Sequence, residues 1–203
     1  MDRDGDGEEA FEDGSRYEGQ YRAGMKHGRG TFTWADGCRY EGDFLDDDIL
    51  GFGSYFWNDG REYAGQWAHN RMSGQGAFTW TDGRKYVGEY SNDVKHGQGV
   101  FTWTDGCEYD GEWKDGKQHG LGVWQFANGD LRRGEWKDGA RVWWTSQVYR
   151  EGNNADLNDD ARKGKEENNV STNYASGEGG RSTPSFSCSA CFCRCARRGR
   201  AGQ

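Results

Sequence analysis

The chain has 203 residues, of which 33% are hydrophobic, and it contains 34 glycines, a single proline and ten each of Trp, Tyr and Phe. Aromatic residues at this frequency exclude a chain that is disordered throughout, and one proline among so many glycines excludes collagen and proline-rich linkers. The net charge is −8, but residues 181–203 carry +5, which leaves −13 on residues 1–180. Because so acidic a body repels nucleic acid and anionic lipid, we expect no nucleic-acid partner.

The first residues, MDRDGDGEE, are acidic and lack the basic and apolar regions of a secretory signal. No apolar run in the sequence approaches the roughly 18 residues that a membrane-spanning helix needs. We therefore expect a cytoplasmic protein whose cysteines are reduced thiols.

A motif recurs every 23 residues between residues 17 and 139. Each copy reads Tyr-x-Gly-x-aromatic, then Gly-x-Gly-x-aromatic-x-aromatic, then Asp or Asn followed by Gly. We interpret residues 1–16 as a half repeat that caps the N-terminus, and residues 17–139 as five full copies plus a sixth that decays, with Arg132 at the tyrosine position. The tyrosines that begin the five full copies are Tyr17, Tyr40, Tyr63, Tyr86 and Tyr109.

This pattern resembles the MORN repeat (membrane occupation and recognition nexus), and the resemblance covers residues 17–139. It implies an elongated, twisted, single-layer sheet. It also implies a MORN-only protein, because the chain lacks the phosphatidylinositol-phosphate kinase or SET-domain methyltransferase sequences that accompany the repeats in some relatives. Proteins of this type commonly act in cytoskeletal, ciliary or membrane-associated assemblies.

Within each copy the aromatic and glycine residues alternate with polar ones, which predicts two short antiparallel strands per repeat and an all-β fold of roughly ten to twelve strands. The turn that contains Gly37 decides the register. A two-residue Asp-Gly loop scatters the aromatic side chains over both faces, whereas a three-residue loop with Gly37 in a G1 bulge pairs Phe32 with Tyr40 and places them on one face. We predict the three-residue loop.

The same register places Gly30 opposite Gly42, and this pair leaves a trough across the sheet. We predict that the trough lies on the aromatic face and that flanking rings lean into it and cover the backbone. The rings predicted to do so are Phe32, Trp34, Tyr40 and Phe44.

Two segments follow the repeats. Residues 140–150 are predicted to cap the sheet, as a last irregular strand or as a short helix; we favour the helix, because Trp144 and Val148 lie four residues apart. Residues 151–203 are polar and lack periodicity, so a disordered tail is predicted.

Three histidines, His27, His96 and His119, share one repeat position. They lie on separate hairpins, so a local hydrogen-bonding role is favoured over a shared metal site. Residues 46–48 form an acidic run that lacks the spacing of a calcium loop, and we interpret the run as a solvated hairpin tip. We predict no metal, no cofactor and no catalytic site, since none of the known catalytic or nucleotide-binding motifs is present.

The basic end of the tail holds four clustered cysteines. Three interpretations remain open: S-palmitoylation beside the arginines, a zinc site, or an inert low-complexity end. The cysteines are Cys188, Cys191, Cys193 and Cys195.

Together these features predict a noncatalytic protein-interaction scaffold whose aromatic face binds an extended protein segment or a second MORN sheet, with a homodimer as one form. The same aromatic residues are also expected to be the thin core of the sheet. The alternatives are a membrane-surface or phosphoinositide-binding module with membrane contact through the tail, and a regulatory fragment related to the MORN-containing kinases. The predicted face comprises Tyr17, Tyr21, Phe32, Trp34, Tyr40, Phe44, Tyr63, Trp67, Trp80, Tyr86, Trp103 and Trp113.

Overall fold

The computed structural model describes residues 3–145 and 148–150, and the predicted disordered tail lies outside these residues. They contain fourteen strands and no helix. The first seven strands are β1 (Gly5–Ala10), β2 (Arg16–Arg22), β3 (Met25–Thr33), β4 (Arg39–Leu45), β5 (Asp48–Phe56), β6 (Glu62–Ala68) and β7 (Arg71–Thr79). The others are β8 (Lys85–Ser91), β9 (Val94–Thr102), β10 (Glu108–Lys114), β11 (Lys117–Gln125), β12 (Asp130–Lys137), β13 (Ala140–Trp144) and β14 (Tyr149–Arg150).

Strands β1 to β13 pair in sequence order, each antiparallel to the next, and β14 pairs with β12. The result is one open, single-layer antiparallel sheet, which confirms the predicted fold class. The strand number exceeds the expected ten to twelve because β1 precedes the first full repeat, while β13 and β14 follow the sixth. A chain that buries its aromatic residues on one face of a single layer must protect that face with its own side chains.

The turns between repeats have the predicted three-residue form. Gly30 pairs with Gly42 and Phe32 with Tyr40. The Trp34 N–H donates to the Cys38 carbonyl at 2.9 Å, and the turn residue Gly37 has φ +89°. This left-handed conformation is cheap for glycine alone, so the glycine of every such turn fixes the register of the next strand.

The turns within repeats form the opposite edge of the sheet, and each contacts the preceding one. In the β4–β5 turn, Asp46 and Asp47 both have positive φ, so the acidic run does form a hairpin tip and Asp48 begins β5. The Asp47 N–H donates to the Lys26 carbonyl, and Asp47 Oδ1 accepts from the Lys26 N–H, both at 3.0 Å. Asn70 makes the same pair of bonds to Ile49, at 3.0 and 2.7 Å.

The hairpin within each of the five full repeats also carries a bulge, and a side chain forms a hydrogen bond across it. Between β4 and β5 the register shifts between Gly42 and Phe44, and Gly51 on the facing strand has φ +80°. The side chain of Asp43 bridges the gap, because its Oδ2 accepts a hydrogen bond from the Phe52 N–H at 2.9 Å. Equivalent bonds from the same repeat position are made by Gln20, Gln66, Glu89 and Glu112.

The helix favoured for residues 140–150 is wrong, because Ala140–Trp144 is strand β13. Ala140 pairs with Lys137 and Trp144 with Gly134. A strand satisfies the outward backbone groups of β12, which a helix would leave unpaired. At the other end, β1 pairs with β2, with Gly7 opposite Gly19.

Candidate interaction surfaces

The face that carries the tyrosines of the five repeats is called here the aromatic face. On it, the paired glycines form the predicted trough, and the ring that covers each pair is the tyrosine of that hairpin. A Cβ built on Gly42 or on Gly53 would overlap the Tyr40 ring, while one built on Gly30 would overlap Tyr17. Phe32, Trp34 and Phe44 do not cover the Gly30–Gly42 pair as predicted; their rings pack against other rings.

The tyrosine that fills the trough is also hydrogen-bonded. The Tyr40 hydroxyl donates to the Asp43 carbonyl at 3.1 Å, and the Tyr63 hydroxyl donates to the Gln66 carbonyl at 2.9 Å. Burial raises the pKa of both phenols well above the usual value. The tyrosines are therefore neutral structural anchors at physiological pH, with no reactive proton to offer.

Ring contacts run along the aromatic face in two continuous rows. In one row the rings meet edge to face: Tyr40 lies 5.2 Å from Phe44 and 5.5 Å from Trp67, with interplanar angles of 86° and 84°. In the other row the rings are tilted, as for Trp34 and Tyr55 at 5.1 Å. Each such pair contributes roughly 0.5–1.5 kcal/mol beyond the area it buries. These rows are the core of the protein.

The core contains most of the predicted partner-binding residues. Of the twelve, nine are buried and only Trp34, Trp80 and Trp103 remain partly exposed. Partner binding by these side chains stays a prediction, but burial leaves the three tryptophans as the members that a partner can reach. The nine buried residues are Tyr17, Tyr21, Phe32, Tyr40, Phe44, Tyr63, Trp67, Tyr86 and Trp113.

One core position holds a cation. Lys95 Nζ lies 4.2 Å from the ring centroid of Trp113 and 4.6 Å from that of Phe101, with Tyr86 and Trp80 within 5.8 Å. Burial, helped by the nearby Arg84, lowers the pKa of Lys95 to about 8. Residues at this position in other repeats are Lys26, Ile49, Met72 and Gln118.

The histidines and cysteines of the described residues form no cluster. His27 Nδ1 lies 3.3 Å from Asp46 Oδ1, which is a contact with the next hairpin tip. Within residues 3–145, no group of three or more His, Cys, Asp or Glu side chains is arranged to hold a metal ion. Cys38 and Cys107 are free thiols, and burial raises the pKa of both. The four clustered cysteines of the tail lie outside the described residues.

The opposite face of the sheet, called here the open face, carries the alternate residues of every strand. A groove of about 1240 Å³ crosses it from β1 to β6, and the backbone of the central glycines lines its floor. Its charges are largely paired: Arg29 Nε lies 3.0 Å from Asp43 Oδ1, and Arg16 lies 2.9 Å from Glu8. Phe52, 58% exposed, is the large apolar side chain on its wall.

The sequence profile of the MORN repeat matches residues 17–39, 40–60, 63–83, 86–108 and 109–131, which together are more than half of the chain. The chain belongs to the MORN repeat family. Each matched MORN segment begins at the tyrosine that covers the paired glycines, which is the second residue of its strand. No curated protein matches the chain in sequence.

Among solved structures, domains of SAS-4 and CPAP are weakly similar to the chain. The TCP domain of SAS-4 (dCPAP) of Drosophila melanogaster, in complex with a proline-rich motif of Ana2 (dSTIL), has 13% identity and a TM-score of 0.35, covering 71% of this chain and 88% of that chain. The TCP10 domain of Danio rerio CPAP has 13% identity and a TM-score of 0.28, covering 68% and 70%. The CPAP G-box domain has 14% identity and a TM-score of 0.31, covering 70% and 99%. TM-scores this low carry no argument about the function of a MORN sheet.

The open face is the surface that the sequence reasoning missed. The repeat pattern identifies the aromatic and glycine positions, which are the core, whereas the residues between them differ from repeat to repeat. The sequence does identify this face, because side chains alternate along a strand and the residue after each repeat tyrosine must point away from the aromatic face. Among the described residues there is also no helix long and apolar enough to cross a membrane.

Proposed function

We propose that this MORN protein is a noncatalytic protein-binding scaffold that holds an extended segment of a partner in the groove of the open face. The observation that carries the proposal is the groove itself, which runs across six strands and which no other element of residues 3–145 covers. The polar side chains that recur in the repeats, such as Asp43 and Gln66, are engaged by the backbone, which supports a structural role rather than a catalytic one.

The groove favours a partner segment of mixed charge. Its arginines and carboxylates are paired with each other, so a partner gains by joining these pairs and by covering Phe52. Family resemblance supports a cytoplasmic role in a cytoskeletal, ciliary or membrane-associated assembly. The exposed edges of Trp34, Trp80 and Trp103 provide a second contact zone on the aromatic face.

The test is affinity capture with the full chain as bait and two matched variants. Phe52→Glu changes an exposed side chain in the groove, and Leu45→Glu changes a comparably exposed one, 42%, at the end of β4 and outside the groove lining. We expect a partner that the wild type and Leu45→Glu retain and that Phe52→Glu loses. Equal recovery by all three baits would refute the groove as the binding surface.

The membrane alternative is favoured by one feature, the five arginines beside four cysteines in residues 181–203. Flotation with vesicles containing phosphatidylserine and phosphoinositide separates the two ideas, using the full chain and a full chain whose five tail arginines are changed to glutamine. We expect any vesicle binding to disappear in the glutamine variant. Equal flotation of both proteins would instead assign lipid binding to the repeats.

A further inference from the structure

The C-terminal half of the open face differs from the groove in its ion pairs. On β10, three carboxylates, Glu108, Asp110 and Glu112, point to this face, since they alternate with Tyr109 and Gly111 of the aromatic face. Glu108 accepts a hydrogen bond from the Thr102 hydroxyl, and Glu112 accepts one from the Leu121 N–H. Within the described part of the chain, no lysine or arginine lies at ion-pair distance from any of the three.

The absence of ion pairs follows from the neighbouring strands. On this face Lys85 and Arg133 lie one strand further away, opposite Thr102 and Val123, and Lys114 lies at the end of β10. The residues that pair with Glu108 and Asp110 are Thr102 and Val100 on β9, and Gln125 and Val123 on β11. In the groove, by contrast, Arg29 lies at ion-pair distance from Asp43, and Arg39 lies at ion-pair distance from Glu41.

Exposed apolar side chains lie on the same face, within three strands of these carboxylates. Val87 on β8 is 46% exposed, Leu121 on β11 is 52% exposed, and Trp143 on β13 is 38% exposed. Val87 pairs with Val100, which in turn pairs with Asp110. The patch therefore combines carboxylates that form no ion pair with apolar surface, and it is complementary to a segment that carries positive charge and aromatic rings.

We propose that this patch binds residues 181–203 of the same chain. This segment has five arginines, no acid, and two phenylalanines, Phe186 and Phe192. Its chemistry is therefore the complement of the patch, whereas a second copy of the sheet would bring the same carboxylates and anionic lipid would be repelled by them.

Residues 151–180 are long enough to let residues 181–203 reach the patch. The described chain ends with β14, at the C-terminal end of the sheet. Residues 151–180 can extend up to roughly 100 Å, whereas β8 lies about 24 Å from β13 at the usual strand spacing. A segment tethered in this way meets the patch at an effective concentration on the order of millimolar, so a modest affinity suffices for occupancy.

The first experiment compares methyl NMR spectra of the full wild-type chain and of the full chain in which Arg181, Arg194, Arg197, Arg198 and Arg200 are changed to glutamine. We expect the methyl resonances of Val87, Val100, Leu121 and Val123 to differ between the two proteins, and those of Leu45 and Ile49 to coincide. The difference should shrink at high salt, because screening weakens contacts between exposed charges.

A matched pair of substitutions locates the contact. Asp110, Glu41 and Ala64 occupy the same repeat position, so alanine is compatible with the fold there. In Asp110→Ala we expect the tail-dependent shifts to fall by at least half, and in Glu41→Ala we expect them to persist.

Identical methyl spectra for the wild type and the glutamine variant would overturn the proposal. Shifts that disappear on dilution would also overturn it, because they would show contact between two chains instead of within one. The measurement uses purified protein alone, so its failure leaves the partner-binding groove unaffected.

Discussion

Lys95 tests whether a lysine buried among aromatic rings stabilises or destabilises the core. It occupies a position that holds Ile49 and Met72 in earlier repeats, both buried. Lys26, at the same position in the first repeat, pairs through Nζ with Asp47 at 3.0 Å, but Lys95 has Gly116 where that carboxylate would be. We predict that Lys95→Met, which copies the third repeat, stabilises the protein at pH 7.

The expected change in the free energy of unfolding for Lys95→Met follows from two opposing effects. A pKa of about 8, compared with the ordinary 10.5, corresponds to a penalty of up to about 3 kcal/mol on the charged Lys95 at pH 7. Part of the side chain reaches solvent, so the true penalty is smaller. The contacts between the ammonium and the surrounding rings return roughly 0.5–2 kcal/mol. We therefore expect a net gain on the order of 1 kcal/mol for Lys95→Met.

The pH dependence has a definite sign. Because the folded protein holds the Lys95 proton less tightly than the unfolded chain, the contribution of this residue to stability rises with pH above about 8. Urea unfolding of wild type and Lys95→Met should be compared between pH 7 and about 9.5, below the ordinary tyrosine pKa. Cys38 and Cys107 titrate in both proteins, so the test is the difference in stability, and we expect the advantage of Lys95→Met to shrink as the pH rises.

Lys26→Met is the matched control, and it should destabilise the protein by about 0.5–1 kcal/mol, because it breaks an ion pair. Gly116→Asp should supply the missing carboxylate and raise the pKa of Lys95. If Lys95→Met destabilises the protein at pH 7, the ring contacts outweigh desolvation and the reasoning is wrong.

Three further predictions test the repeat geometry. Gly42→Ala should lower the free energy of unfolding in urea by about 3 kcal/mol, because its Cβ meets the Tyr40 hydroxyl and the backbone of Gly53. Gly106→Ala has open space around its Cβ and φ +83°, so it should cost only about 1–2 kcal/mol. Equal costs would show that Tyr40 does not fill the trough. Gln66→Ala removes the acceptor that lies 2.7 Å from the Gln75 N–H, so the Gln75 amide should exchange faster with deuterium, at a cost of about 1 kcal/mol; unchanged exchange would show that water replaces the side chain. Trp144→Ala removes the ring that lies 5.4 Å from Trp136. Amide hydrogen exchange should therefore accelerate in β12 and β13 and stay constant in β2 to β4. Uniform acceleration in all strands would show that the sheet unfolds as one unit.

The period of the sequence was enough to predict the sheet, its strand order and the three-residue turn at Gly37. These features depend on local chemistry that recurs without change. A glycine adopts positive φ at little cost in each turn, and the alternation admits one register if the rings are to share a face. The hairpin tip at Asp46 and Asp47 was predicted on other grounds, because the acidic run lacks the spacing of a calcium loop.

Which side chain fills each glycine trough was decided by tertiary packing, since Tyr17 and not Tyr40 covers Gly30. The strand at Ala140–Trp144 was likewise decided by the unpaired edge of β12, although the spacing of Trp144 and Val148 suggested a helix. The charge state of Lys95 depends on rings from three strands and one turn, which are distant in sequence. A repeat pattern records what every copy shares, and so the sequence by itself determined the architecture; only the packed sheet shows where copies differ and which residues meet across them.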